Sequence, residues 1–173
     1  LGRASSNGSV SVDIPPKYKE VFEDKGVAIL ENTESLPRVY LTKNVIKASD
    51  SAALKYMLDD KFPIKTTSIS DFDWHNNTGE NLKENLTYEQ ITNSHVLIKT
   101  TSNLDAYLVI LDSFYPGWKA TIDGKETQIH RTNYNFRGIL LPKGTHTVEF
   151  IYNPISLKYG AIVSGVSLLI ILL

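Results

Sequence analysis

The chemistry-bearing residues of this chain concentrate in two neighbouring stretches. HRTNYNFRG, residues 130 to 138, places His130, Arg131, Asn133, Asn135 and Arg137 within eight residues. Guanidinium groups hold a phosphate or a carboxylate through paired hydrogen bonds, and amides add neutral donors beside them. The same set also suits a long turn between two strands, where Asn is routine because its side chain bonds its own backbone. FYPGWKATIDGKE, residues 114 to 126, contributes Tyr115 and Trp118. An exposed aromatic pair offers a flat surface to the CH face of a sugar ring and leaves the hydroxyls to polar neighbours. Against that stand a core-anchor role for Trp118 and a membrane-interface role for both rings. Tyr115, Trp118, Arg131, Asn133 and Arg137 form the candidate ligand-binding set, for a glycan or for an anionic polymer or lipid headgroup. Arg38, which follows Pro37, either joins such a site or pairs internally with an acid.

Other chemistries find less support. Glycosidic hydrolysis or transfer needs paired carboxylates. Asp71 and Asp73, beside Trp74 and His75, come nearest, but their i, i+2 spacing is that of a solvated loop with Asx turns. No catalytic residue is assigned. His75, His95, His130 and His146 stand singly, without the compact spacings of zinc sites. Asp71, Asp73 and Glu80 lack the periodicity of an EF-hand loop, and phosphate-binding glycine loops are absent. Neither a metal nor a cofactor is expected. The sequence holds no cysteine, which removes disulfides and thiolate chemistry and leaves the compartment open. Its 18 basic and 19 acidic residues are interspersed, so nucleic acid is not an expected partner. Asn7, Asn76 and Asn85 each begin an Asn-x-Ser/Thr sequence, an acceptor only in a eukaryotic secretory setting.

Strands must carry most of these residues. The first sixteen, rich in Ser, Gly and Pro, read as an extended lead-in with an edge strand at GSVSVDI. Tyr18, Val21 and Phe22 fall at helical spacing and predict a short helix over Lys17 to Asp24. VAILEN and RVYLT have strand composition and are joined by a turn at TESLP. Asp50 or Ser51 caps a helix that presents Ala53, Leu54, Met57 and Leu58 on one face and stops before Pro63. Residues 70 to 85 are the most polar and predict a loop or a hairpin with a long connection. ITNSHVLIKTT, AYLVILD, WKATID, TQIHR, FRGILL and THTVEFIY follow as strands, with hairpin turns at Asp123-Gly124 and Pro142-Lys143-Gly144. Trp118, Ala120 and Ile122 share one face of their strand, as do Val148, Phe150 and Tyr152 of the last. The series predicts a mainly β fold, an antiparallel β-sandwich with one or two short peripheral helices.

The predicted organisation is a lead-in over 1–16, a β-sandwich domain over 17–155 and the start of a transmembrane helix over 156–173. GAIVSGVSLLIILL, from Gly160 to Leu173, carries no charge. A full span needs roughly 20 apolar residues, and fourteen cover only about 21 Å. The run therefore reads as the first part of a span, with a packing helix as the alternative. No basic stretch followed by an apolar run marks the N-terminus as a signal peptide, so either export is not needed or something upstream provides it.

A resemblance joins these features. YPGWKATIDGKETQIHRTNYNFRGILLPKGTHTVEFIYNP, residues 115 to 154, resembles the most distinctive segment of the bacterial YfhO family of large polytopic membrane proteins. ILENTESLPRVYL, residues 29 to 41, is similar to an earlier family segment through Asn32, Leu36, Pro37 and Arg38, and the family places a short helix near residues 51 to 60. The chain departs at Phe114, where Tyr is usual, and in a polar stretch around residues 74 to 88. Members of that family resemble membrane-embedded glycosyltransferases that use a polyprenyl-phosphate-linked sugar, and some are associated with glycosylation of lipoteichoic acid or other surface polymers. The resemblance implies that residues 1–155 form a non-catalytic domain on the extracytoplasmic side of the cell membrane, ahead of a late transmembrane helix. The catalytic acids would lie far upstream, and none carries over to this chain. The implied partners are the remaining transmembrane part of the same protein, the lipid bilayer, and a glycan or anionic cell-surface polymer that the domain would position. The alternative is a purely structural domain that braces the membrane part and binds no ligand.

Overall fold

A computed structural model describes residues 3–4, 10–11, 14–76 and 79–172. The chain divides into two compact units, residues 1–37 and 38–173. In the first unit, β1 (Arg3–Ala4) pairs antiparallel with β2 (Val10–Ser11); the rest of the GSVSVDI strand up to Asp13 lies outside the described residues. β3 (Tyr18–Asp24) and β4 (Val27–Asn32) form an antiparallel hairpin. The helix expected over Lys17 to Asp24 is thus a strand. Lys25 and Gly26, with φ of 47° and 80°, make the two-residue turn whose twist suits paired strands. The pairing slips between Glu20 and Phe22, and such a bulge breaks the two-residue alternation. That slip explains why Tyr18, Val21 and Phe22 read as helical.

The second unit contains β5 (Val39–Thr42), β6 (Asn44–Lys47), α1 (Asp50–Met57), β7 (Thr67–Ser70) and β8 (Trp74–His75). These are followed by β9 (Glu84–Thr92), β10 (His95–Ser102), β11 (Ala106–Ser113), β12 (Trp118–Ile122) and β13 (Lys125–Thr127). It closes with β14 (His130–Thr132), β15 (Phe136–Leu141), β16 (Gly144–Tyr152) and α2 (Ile155–Leu172). Two antiparallel sheets, ordered β13-β12-β16-β10-β9 and β14-β15-β11-β5, face each other. Alternating residues from both fill the space between them: Val96, Ile98, Ala120, Val148 and Phe150 from one, Leu41, Leu108, Ile110, Ile139 and Leu141 from the other. Each such burial removes apolar surface from water for about 1.5–3 kcal/mol per large side chain. The fold is mainly β, an antiparallel sandwich, as the strand series predicts.

The details differ instructively. ITNSHVLIKTT is two strands, not one: the chain turns at Asn93 and Ser94, so its first residues end β9 and the rest form β10. β9 begins at Glu84 inside the polar stretch, because an edge strand with mostly exposed side chains needs little apolar content. TQIHR is divided between β13 and β14, which belong to different sheets. Asp123 and Gly124, with φ of 50° and 78°, turn the β12–β13 hairpin as expected. Pro142-Lys143-Gly144 turns no hairpin, since β15 and β16 lie in opposite sheets and the connection crosses between them. The helix α1 starts at Asp50, so its N-cap is Ser49, one residue before the expected caps, and it makes no side-chain capping bond. Of its expected apolar face only Ala53 is buried; Leu54 and Leu58 are exposed.

A third layer covers the outer face of the four-stranded sheet. β6 pairs parallel with β7 and antiparallel with β8, and α1 makes the parallel crossover. Gly138 on β15 is required there: a Cβ would come within 2.3 Å of the Tyr107 hydroxyl and 2.4 Å of Thr132 Oγ1. The helix α2 follows β16 directly, and its large apolar side chains, Ile155 to Ile171, are exposed on all sides. Among the described residues no helix is long and apolar enough to cross a membrane.

Candidate functional site

The connection from β11 to β12 builds the most distinctive surface of the sandwich. Gly117 has φ 106°, and a Cβ there would sit 2.9 Å from Pro154 Cβ and 3.0 Å from the Tyr152 ring. Only glycine lets the chain turn so close to the end of β16. The Asn153 N–H donates to the Gly117 carbonyl at 2.8 Å, and Trp118 then pairs in register with Tyr152. The Trp118 and Tyr152 rings lie 5.3 Å apart, and Tyr115 and Tyr152 6.4 Å apart. Tyr115 is 62% exposed, whereas Trp118 is partly buried and packs on the core. The core-anchor reading of Trp118 is met by this packing, and the residue also lines a groove of about 460 Å³.

The floor of that groove is charged. Arg137 sits on the inward face of β15 in phase with Ile139 and Leu141, and it is 1% exposed. Its Cζ lies 3.8 Å from the Trp118 ring centroid and 5.2 Å from that of Phe150. Its Nη2 donates to Asp112 Oδ2 at 2.8 Å. Arg38 Nη2 donates to the other oxygen, Asp112 Oδ1, at 2.7 Å, so one carboxylate holds two guanidinium groups. The Arg38 Cζ stands 5.2 Å from the Tyr88 ring. Burial lowers the Arg137 pKa from its usual value, opposed by Asp112. Gln90, Asn93 and Ser113 form the polar rim.

The other sequence-predicted residues belong elsewhere. Asn133 is 2% exposed and clasps β7: its backbone N–H donates to the Ile69 carbonyl at 2.8 Å, and its Oδ1 accepts from the Ile69 N–H at 2.8 Å. Its Nδ2 donates to the Tyr40 hydroxyl at 2.9 Å. Asn133 and Tyr134 turn the β14–β15 hairpin with φ of 47° and 75°. Arg131 donates to the Tyr134 carbonyl at 2.6 Å and pairs with Asp50 Oδ2 at 2.9 Å. Of the candidate set, then, Tyr115, Trp118 and Arg137 converge on one groove, while Arg131 and Asn133 join the third layer to the sheet.

Asp71 bonds His130 at 3.1 Å, and Asp73 Oδ1 accepts from the Lys47 N–H at 2.7 Å; the two carboxylates do not converge on a common point. Burial pushes the Tyr40 and Tyr107 hydroxyls up to about 12, so both stay protonated. Among the described residues no group of three or more His, Asp and Glu side chains could hold a metal ion.

Asp112, Gln90, Asn93 and Tyr152 are groove residues that the sequence motifs did not single out. A signal for Asp112 was present: in AYLVILDS it is in phase with the inward-facing Ala106, Leu108 and Ile110. A carboxylate continuing a buried face demands a cationic partner, and Arg137 continues the buried face of the adjacent strand in the same way.

The sequence model of a family described as "Bacterial membrane protein YfhO" matches residues 76–164. A curated relative, "Uncharacterized protein YfhO" of Bacillus subtilis (strain 168), is 26% identical over 169 residues, covering 97% of this chain and 15% of that protein. The chain thus spans a small part of the length of that relative. No solved structure matches it. With the β11–β12 turn, the Arg137 strand and the last strand of the sandwich all inside the matched segment, the chain belongs to the YfhO family of bacterial membrane proteins.

Proposed function

We propose that this chain is a non-catalytic, extracytoplasmic part of a YfhO membrane protein that takes part in glycosyl transfer to cell-surface polymers, and that it positions a glycan in the groove beside Trp118. In this reading residues 17 to 155 lie outside the cell membrane and the helix that follows leads toward it. The observation that carries the reading is the exposed Tyr115 standing beside Trp118 and Tyr152 over a rim of Gln90, Asn93 and Ser113. Flat apolar surface flanked by amide and hydroxyl groups matches the two-sided character of a pyranose ring. The groove also adjoins the start of α2, since Pro116, Gly117 and Trp118 line a second hollow with Pro154, Ile155 and Ser156. A ligand held there would lie close to any membrane that the helix enters.

The test is Tyr115→Ala in the full-length membrane protein. The expected result is weaker binding of the acceptor polymer and slower sugar transfer, with the fold intact by circular dichroism. Binding and transfer at wild-type levels would favour a domain that only braces the membrane part, the role in which Trp118 and the Arg137–Asp112 pair serve stability alone.

A further inference from the structure

The groove floor carries more hydrogen-bond donors than acceptors. Among the described residues, five buried side-chain polar atoms have no partner, and two of them are Arg137 Nε and Nη1 and a third is the Tyr88 hydroxyl. The two Arg137 donors belong to the groove floor, and the Tyr88 ring beside it carries the Arg38 guanidinium. Buried donors of this kind are uncommon and each costs free energy while unmatched. The charges are unequal as well: Arg38 and Arg137 share the single carboxylate of Asp112, leaving one positive charge over. Arg38 remains 53% exposed at the groove mouth, while Arg137 lies at its floor beneath Trp118.

We propose that the groove selects an anionic ligand, a sugar or polyol bearing a phosphate, whose charged oxygens are met by Arg38 and the surplus positive charge of the Arg38–Asp112–Arg137 cluster while Tyr115 and Trp118 take the ring. This rests on the glycan reading above and adds the charge of the ligand to it. Guanidinium is the group best matched to phosphate oxygens, and a partly dehydrated floor strengthens the attraction. A neutral sugar would leave the surplus charge uncompensated.

The test is calorimetric titration of the full chain in detergent micelles with glucose, glucose 1-phosphate and glycerol 1-phosphate. Glucose 1-phosphate is expected to bind about tenfold tighter than glucose. Arg38→Gln should weaken glucose 1-phosphate binding more than glucose binding and so remove that preference, and salt at about 0.5 M should reduce it. Equal binding of glucose and glucose 1-phosphate would overturn the inference and leave the glycan reading standing. Equal binding of both phosphates with no binding of glucose would support the anion site, point to a polyol phosphate or lipid headgroup as its source, and remove the sugar platform. No binding of any of the three would overturn both.

Discussion

Arg131 and Arg137 stand directly opposite each other in the register of β14 and β15, yet they bond in two unlike places: Arg131, on the edge strand, reaches Asp50 of α1, and Arg137 reaches Asp112 at the groove. On the outer face, toward β6 and β7, polar groups are matched one to one. Asn133 satisfies the Ile69 N–H and the Tyr40 hydroxyl; Tyr107 bonds Thr132 at 2.7 Å and Thr42 bonds Ser68 at 3.0 Å; Ser70 donates to the Arg131 carbonyl at 2.8 Å. On the inner face, at the groove, two guanidinium groups share one carboxylate and two Arg137 donors go without acceptors. The matched layer holds the sheet, whereas the surplus donors at the groove floor are what the proposed ligand would meet. Sequence proximity hides this difference, because Arg131, Asn133 and Arg137 lie within seven residues of one another.

The comparison can be broken at several points. Asp112→Ala should have the largest effect, since it strips the partner from the buried Arg137, and losing one member of a buried ion pair costs about 3–5 kcal/mol; chemical denaturation of the chain in micelles would read it. Asn133→Ala removes the partners of two buried groups on the other face, and a loss of about 1–3 kcal/mol is expected, without any change in ligand binding. Arg131→Ala should cost only about 0–1 kcal/mol, because its pair with Asp50 is solvent-exposed, and should likewise leave binding untouched. If Arg131→Ala abolished binding while Arg38→Gln did not, the assignment of the two faces would be reversed.

The smallest effect concerns pH and serves as a control away from the groove. His146 Nδ1 and Asp123 Oδ2 lie 2.7 Å apart. Their hydrogen bond raises the His146 pKa above 6.5 and lowers that of Asp123 below 3.8. A raised histidine adds stability that is complete below its unfolded value and is lost as pH rises through the folded one. A lowered carboxylate adds stability that is complete above its unfolded value and is lost as pH falls through the folded one. The contribution of the pair is thus complete between pH 3.8 and 6.5 and declines on either side. His146→Gln should flatten this part of the profile of stability against pH and leave the groove unchanged.

Much of the sandwich was legible because apolar residues alternate wherever a strand faces the core: AYLVILDS, WKATI and THTVEFIY each announce their inner face. Other strands were not: the four-residue β6 and β7 of the third layer are too short to show a period. β3 hides its alternation in a bulge, and β9 is a polar edge strand whose Leu86 and Tyr88 alone lean on the core. The candidate site was half legible. Local motifs exposed Tyr115, Trp118 and Arg137, all from one short stretch of chain. Arg38, just ahead of β5, was open between such a site and an internal pair; Gln90 and Asn93 of the β9–β10 hairpin and Asp112 of β11 reach the same groove only through the order of strands in the two sheets. The motif also drew in Arg131 and Asn133, because residues near in sequence were weighed as one cluster, while the edge position of β14 and the turn after it carry these two to Asp50 and Ile69 of the third layer.

The central claim is that ligand is held against Trp118. The chain has two tryptophans, Trp74 on β8 and Trp118 on β12, so the two indole N–H signals in an NMR titration of the chain with soluble acceptor glycan report on two separate layers. The account predicts that the Trp118 signal moves and saturates while that of Trp74 stays in place. A Trp118 signal that does not move, or two signals that move together, would contradict it.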